Sequence, residues 1–170
     1  NLASVSAPSG GYVKYTKFMP GMHVSKGETL AVLEDPQIVQ LQQDYLLAKS
    51  NLSYARKDYT RQNDLNKSKA ASDKVTQQAQ TEVQNQNILM RGMAEKLRAM
   101  GINPENLNAG NIRRSISVSS PVSGYISNVN VKIGQYVSPT DKLFDVVNTD
   151  DVHLALTVFE KDLNRISVGQ

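Results

Sequence analysis

The chain is 170 residues long, with no cysteine, 39% hydrophobic residues and a net charge of +3. The missing cysteines exclude a disulfide framework and thiolate metal sites, and its longest apolar runs are too short to span a membrane. Three Phe, seven Tyr and no Trp leave little for a large aromatic core, as expected where much of the chain is a thin helical rod.

Residues 2–33 alternate and punctuate like short strands. Tyr12-Val13-Lys14-Tyr15 and Leu30-Ala31-Val32-Leu33 are the strand-like runs, with turns at Gly10-Gly11, Pro20-Gly21 and Lys26-Gly27. A helical insert begins at Asp35-Pro36. Asp35 is a good N-cap, and Pro36 suits the first helical position, where a missing N–H costs nothing. Ile38, Leu41, Tyr45, Ala48, Leu52, Ala55 and Tyr59 then recur at steps of three and four, the pattern of a coiled-coil seam. Beyond Tyr59 the seam turns polar, and the helix is expected to end at about Lys67 or Lys69.

A return helix is expected from Ser72, its N-cap, with Asp73 in the first turn. Its seam is Thr76, Ala79, Val83, Gln86, Met90, Met93, Leu97 and Met100, and Gly101 ends it with Pro104 just beyond. Methionines at seam spacing read as core filler, not copper ligands. Two seams joined by a short polar turn make an antiparallel αα-hairpin. With only two helices, one face of the rod is weakly covered and is expected to lean on neighbouring copies or a partner. Residues 49–74 hold seven basic side chains against three acidic ones. That cluster reads as a solvated helix face, with docking to an acidic protein surface as the sharper reading. Nucleic acid is disfavoured, because only Tyr54 and Tyr59 accompany the charges and no recognition motif does.

Residues 102–114 read as an irregular return. After them, strands at Tyr125 to Ile133 and at Leu143 to Val147 repeat the opening segment. Residues 8–35 and 121–148 align without a gap and match at Pro8/Pro121, Gly11/Gly124, Tyr12/Tyr125, Gly21/Gly134, Val24/Val137, Ser25/Ser138 and Leu30/Leu143. Average composition gives roughly one or two identities over such a strip. Val13/Ile126 and Glu28/Asp141 are conservative pairs in the same register. Two copies of a β-unit around an insert describe one domain opened in the middle. Gly21 and Gly134 each follow a strand where a tight reversal needs positive φ. The tail reads as a strand, Val152 to Phe159, and a short helical turn. A lone strand is unstable in water, so either the chain is expected to continue or this strand pairs with segments before Asn1, which itself implies a mature chain or a fragment.

The two half-units resemble the halves of a lipoyl or biotinyl carrier domain. Split by an α-hairpin and followed by a strand, they resemble periplasmic adaptor proteins (membrane fusion proteins) of resistance-nodulation-division efflux systems. Asp35-Pro36-Gln37-Ile38, Gln42-Gln43-Asp44-Tyr45-Leu46 and Lys96-Leu97-Arg98-Ala99-Met100-Gly101 resemble the heavy-metal-efflux branch. So do Asp151-Val152-His153-Leu154 and Val158-Phe159-Glu160-Lys161-Asp162-Leu163. The resemblance implies an α+β fold: a split lipoyl-like β-sandwich interrupted by a long antiparallel coiled-coil hairpin, with the beginning of a β-barrel. The expected divisions are 1–34, the first lipoyl-like half; 35–101, the hairpin; 102–148, the return and second half; and 149–170, the start of the barrel.

The resemblance further implies a periplasmic subunit, anchored to the inner membrane by a segment outside this chain. It would link an inner-membrane pump to an outer-membrane channel and self-associate into a ring, a trimer or hexamer, with heavy-metal cations as the implied cargo. In adaptors the hairpin tip contacts the channel through an Arg, a Leu four later and a Ser eleven after the Arg. Arg61, Leu65 and Ser72 hold that spacing.

Other functions fit less well. The turn that carries the modified lysine in carrier domains is Glu34-Asp35-Pro36 here, without a lysine, so no lipoyl or biotinyl cofactor is expected. No phosphate-cradling loop or catalytic spacing around His23 or His153 suggests an enzyme. His153 beside Asp150 and Asp151, or His23 with Met19 and Met22, offers at most two or three ligands, and no metal site is expected. The alternatives are an adaptor of an ABC-type export or secretion system, and a generic coiled-coil scaffold.

Overall fold

The structure, a computed structural model, describes residues 2–148. Each strand of the first half has a counterpart 113 positions on. β1 (Leu2–Ser6), β2 (Gly11–Thr16), β3 (His23–Val24) and β4 (Thr29–Glu34) match β5 (Ser115–Ser119), β6 (Gly124–Val129), β7 (Tyr136–Val137) and β8 (Lys142–Val147). The repeat therefore reaches further back than the strip from Pro8. Between the halves stand α1 (Pro36–Lys67) and α2 (Asp73–Ala99).

The halves do not form one sheet each. One sheet has the order β1-β8-β6-β3 and the other β5-β4-β2-β7, so both mix strands of the two halves, related by a pseudo-two-fold. The bonds between halves come in matching pairs. Gly21 N–H donates to the Ile126 carbonyl and Gly134 N–H to the Val13 carbonyl, both at 2.7 Å. Both glycines have positive φ, +88° and +85°. The conservative pair Glu28/Asp141 plays the same part in both halves. Glu28 accepts from Ser25 N–H and Asp141 from Ser138 N–H, closing equivalent turns. Lys17 lies 3.3 Å from Glu28, and with the Ser25 N–H as the larger cause it holds the Glu28 carboxyl below its usual range.

The body's core is filled pairwise: Val5/Val118, Val13/Ile126, Phe18/Val131, Val24/Val137, Leu30/Leu143 and Leu33/Val146 are all buried. One half supplies what the other lacks in volume, which is why neither half is a domain. The expected strand to Ile133 ends instead at Val129. Beyond it Val131 turns inward like Phe18, and Lys132 and Gln135 close a turn that delivers Gly134 to the other half.

Comparing the halves exposes two misfits. Thr140 has φ +75° where its counterpart Gly27 has +83°. The buried hydroxyl of half-buried Thr16 has no hydrogen-bond partner among the described residues, and the counterpart of Thr16 is Val129. A β-branched residue in the left-handed region costs about 1–2 kcal/mol, and an unsatisfied hydroxyl costs a similar amount. Thr140→Gly and Thr16→Val are each expected to raise the midpoint of thermal unfolding by about 2–4 °C, read by circular dichroism.

Asp35 caps α1, its carboxylate accepting from Gln37 N–H at 2.8 Å, and Ser72 caps α2. Gly101, with φ +74°, closes α2. Its N–H bonds Arg98 O and the Ile102 N–H bonds Leu97 O, a Schellman end in which buried Ile102 and Leu97 supply the apolar contact. All eight expected seam residues of α2 are buried or half-buried, and Ala94 joins them.

On α1 the seam differs at the base. Leu41 is only half-buried, while Gln42 is fully buried. The cause is the return segment. Gln42 Nε2 donates to Arg113 O at 2.6 Å and to Ile38 O at 2.8 Å, and its Oε1 accepts from Arg113 N–H at 3.2 Å. The amide thus pairs with the Arg113 backbone as a neighbouring strand would, and holds the rod to the body. Arg98 reaches both Glu95 and Glu105, tying α2 to the return segment as well. Gln42→Leu leaves both Arg113 backbone groups without their partner and is expected to cost about 2 kcal/mol. Denaturant unfolding measures the loss, and small-angle scattering should show a wider spread of rod orientations.

Candidate docking site at the hairpin tip

α1 has 32 residues and α2 has 27, so at 1.5 Å per residue the rod reaches about 48 Å from the body. Its far end is small and mostly polar. The turn has a feature the sequence does not announce: α1 also ends in a Schellman arrangement, with Lys69 (φ +61°) where a glycine is usual. Lys69 N–H donates to Asn66 O and Ala70 N–H to Leu65 O, both at 2.8 Å. The two helices are clasped across the turn by Asn66 Nδ2, which donates to Asp73 Oδ1 at 2.8 Å. Lower down, Thr76 Oγ1 donates to Gln62 O at 3.4 Å.

Arg61 and Leu65 stand one turn apart on α1, and Ser72 stands across the reversal at the start of α2. Their hydrogen bonds go to other residues and not to one another. The Arg61 guanidinium bonds Asp58, one turn back toward the body. Asp58, and to a smaller degree the Tyr54 phenol, hold its proton more firmly than usual. Leu65 is 40% exposed although its carbonyl is engaged, accepting from Ala70 N–H and from Ser68 Oγ at 2.9 Å. Ser72 Oγ accepts from Val75 N–H at 3.4 Å, so its hydroxyl serves as a helix cap.

The residue missed by pattern reading is Val75, which is also 40% exposed. It lies outside the seam near the start of α2, one residue before Thr76, which bonds Gln62 of α1. Its signal was available: Val75 is apolar, adjacent to the seam residue Thr76 and belongs to neither helix core. Leu65 and Val75 thus put two partly exposed apolar side chains on a tip otherwise rich in Asn, Ser, Lys and Ala.

Elsewhere the chemistry is sparse. His23 meets the Tyr125 ring edge-on at 5.1 Å, and Met22 Sδ accepts from Met19 N–H at 3.3 Å. Among the described residues no group of three or more His, Cys, Asp or Glu side chains converges on a point, and no helix is long and apolar enough to cross a membrane. The expected tail strand and barrel, with His153, Asp150 and Asp151, lie outside the described residues.

A family model described as a CzcB-like, barrel-sandwich hybrid domain matches residues 1–148. The cation efflux system protein CzcB of Alcaligenes sp. (strain CT14) is 25% identical over 150 residues, covering 88% of this chain and 28% of that protein. The nickel and cobalt resistance protein CnrB of Cupriavidus metallidurans is 27% identical over 167 residues, covering 98% of this chain and 40% of that protein. The chain thus spans well under half the length of these relatives. Among solved structures, ZneB from Cupriavidus metallidurans shares the fold with a TM-score of 0.63 at 24% identity, covering 99% of this chain and 69% of that one.

Proposed function

The chain belongs to the CzcB-like barrel-sandwich hybrid family, and from that premise we propose that it is the body and hairpin of a non-enzymatic periplasmic adaptor. In this reading it links an inner-membrane resistance-nodulation-division pump to an outer-membrane channel for the efflux of heavy-metal cations. The names of its relatives, a cation efflux protein and a nickel and cobalt resistance protein, support the cargo class. The observation that carries the mechanism is the interleaving of two half-units around a rod clamped at both helix bases. A body closed in this way positions the tip about 48 Å away without needing the tip to fold independently.

The adaptor's work is geometric. Copies side by side form a ring, the bodies stack laterally, and the tips meet the channel through Arg61, Leu65 and Ser72, so that cargo crosses the periplasm enclosed. No side chain in this scheme makes or breaks a bond.

The test is paired. Deleting the gene should sensitise its host to nickel, cobalt, zinc or cadmium, and the tagged protein should co-purify from membranes with a pump of that class and a channel. Unchanged metal tolerance together with co-purification of an ATP-driven exporter would overturn the reading.

A further inference from the structure

Outside its seam the hairpin has two unlike flanks. On α1 the buried residues Tyr45, Ala48, Leu52 and Ala55 fix the direction of α2. Leu47 and Tyr54, seven apart, therefore share one flank, and Lys49 and Arg56, also seven apart, share the other. In an antiparallel pair, Leu89 of α2 falls on the flank of Leu47 and Tyr54. Arg91 falls on the flank of Lys49, and these two line one depression together with Tyr45, Ala94, Glu95 and Glu105.

The first flank is apolar for an exposed helix surface: Leu47 is 63%, Tyr54 70% and Leu89 52% exposed. A helix pair that meets only water ordinarily carries polar residues there. The same flank holds Asp44 and Glu82, which bond only to the neutral amides of Gln40 and Gln86. On the other flank Lys49, Arg56 and Arg91 have no carboxylate within ion-pair distance among the described residues, although other cations of the rod do. Asp44 and Glu82 are thus acids without an ion pair on one side, and Arg56 and Arg91 are bases without one on the opposite side among the described residues, along the same stretch of the rod. Lys49 shares its depression with Glu95 and Glu105.

We propose that the Leu47–Tyr54–Leu89 flank of one copy packs against the Lys49–Arg56–Arg91 flank of a parallel neighbouring copy. This rests on the adaptor reading above and names the surface by which its rods associate. The aliphatic stems of Lys49 and Arg56 cover the leucines, the Arg56 guanidinium suits the Tyr54 ring, and the charged heads reach Asp44 and Glu82. Because the two surfaces lie on opposite sides of one rod, the contact is head-to-tail and repeats from copy to copy, as the ring of the adaptor reading requires. Apolar flank against apolar flank would set the acids of one copy against those of the other and leave the basic flank bare.

The chain has no cysteine, so single thiol reporters are clean. Asn51→Cys marks the apolar flank and Ser53→Cys the basic one; both side chains are exposed, and neither is an apolar or charged partner in the proposed contact. A mixture of the two variants of the intact protein, treated with a short bis-maleimide, is expected to give mixed dimers well above the same-variant dimers. Sedimentation should show Arg56→Glu/Arg91→Glu weakening self-association roughly tenfold, and adding Asp44→Lys/Glu82→Lys to the same chain restoring it. Same-variant dimers at Asn51→Cys, or a double charge swap that restores nothing, would overturn the proposal. If the protein forms rings that neither thiol cross-links, this contact falls and the adaptor reading stands. If it is monomeric at every concentration tested, both fall.

Discussion

Leu65→Asp is expected to reduce metal resistance to the level of a strain lacking the protein, while its helix content and thermal midpoint stay close to those of the parent. The separation between the two effects comes from position. Leu65 stands near the last turn of α1, is 40% exposed, and contributes its carbonyl, not its side chain, to the turn that ends the helix. A surface change of this kind moves stability by about 0.5 kcal/mol. At a docking contact the same change replaces an apolar anchor with a charge that must be desolvated, a difference of several kcal/mol and a loss of affinity of about a hundredfold or more. Resistance kept at the parental level would remove Leu65 from the contact.

The other two tip residues need different substitutions, because each also serves the helix it stands on. Arg61→Asp sets a carboxylate beside Asp58, a repulsion of about 0.3–0.5 kcal/mol that the long helix tolerates. Its effect on resistance therefore reports docking. Ser72→Ala, in contrast, removes a cap and costs about 1 kcal/mol whatever the tip binds. Ser72→Asp keeps the cap and changes the group presented outward. Resistance lost in Ser72→Asp with the hairpin's stability intact would give the hydroxyl a role in docking; resistance kept would leave it as a cap alone.

Much of this architecture was written in residue spacing. Asp35-Pro36, Ser72 and Gly101 mark the helix ends because each satisfies a backbone requirement locally. The α2 seam is legible for the same reason. The repeat was legible from Pro8 onward, and a further signal lay unused: Ser4-Val5-Ser6 and Ser117-Val118-Ser119 stand in the same register and fall in the paired strands β1 and β5.

What remained hidden depends on distant neighbours. Gln42 reads as a surface residue, yet Arg113, 71 positions on, buries it. The exchange of strands between the two sheets leaves no mark in either copy alone, since each strand carries the same alternation whichever half it joins. Lys69 gives no sign of its left-handed backbone, because the turn imposes it. At the tip, the motif carried over from the resemblance falls on Arg61 and Leu65 of α1 and on Ser72 at the start of α2. It did not reveal that the Arg61 guanidinium turns back to Asp58 or that Val75 stays partly exposed beside the turn.

Gly124→Ala is expected to abolish the folded body. Gly124 opens β6 where that strand runs beside β8. A Cβ placed there would sit well inside contact distance of the Val147 carbonyl oxygen, with the Val147 carbonyl carbon at 2.8 Å and Asn148 Cα at 3.1 Å. All three obstacles are backbone, so no rotamer change relieves them; β6 and β8 must part. Those strands lie at the centre of their sheet, and their separation also breaks the pairing that buries Leu143, Phe144 and Val146. Forced overpacking against backbone costs more than about 3 kcal/mol, a large share of the roughly 5–15 kcal/mol that keeps a domain folded. The pseudo-two-fold supplies the control. At Gly11, the counterpart in β2, the nearest backbone atom is the Glu34 carbonyl oxygen at 3.0 Å, and the next contacts lie at 3.4 Å or beyond. Gly11→Ala therefore needs a shift of a few tenths of an ångström, and the φ of +154° adds some backbone strain. Together these should lower stability by about 2 kcal/mol while leaving a cooperative transition. Thermal unfolding of the two variants side by side decides the matter. Equal, small losses would mean that β8 can yield at Val147 and that β6 and β8 are not held as rigidly as their pairing implies.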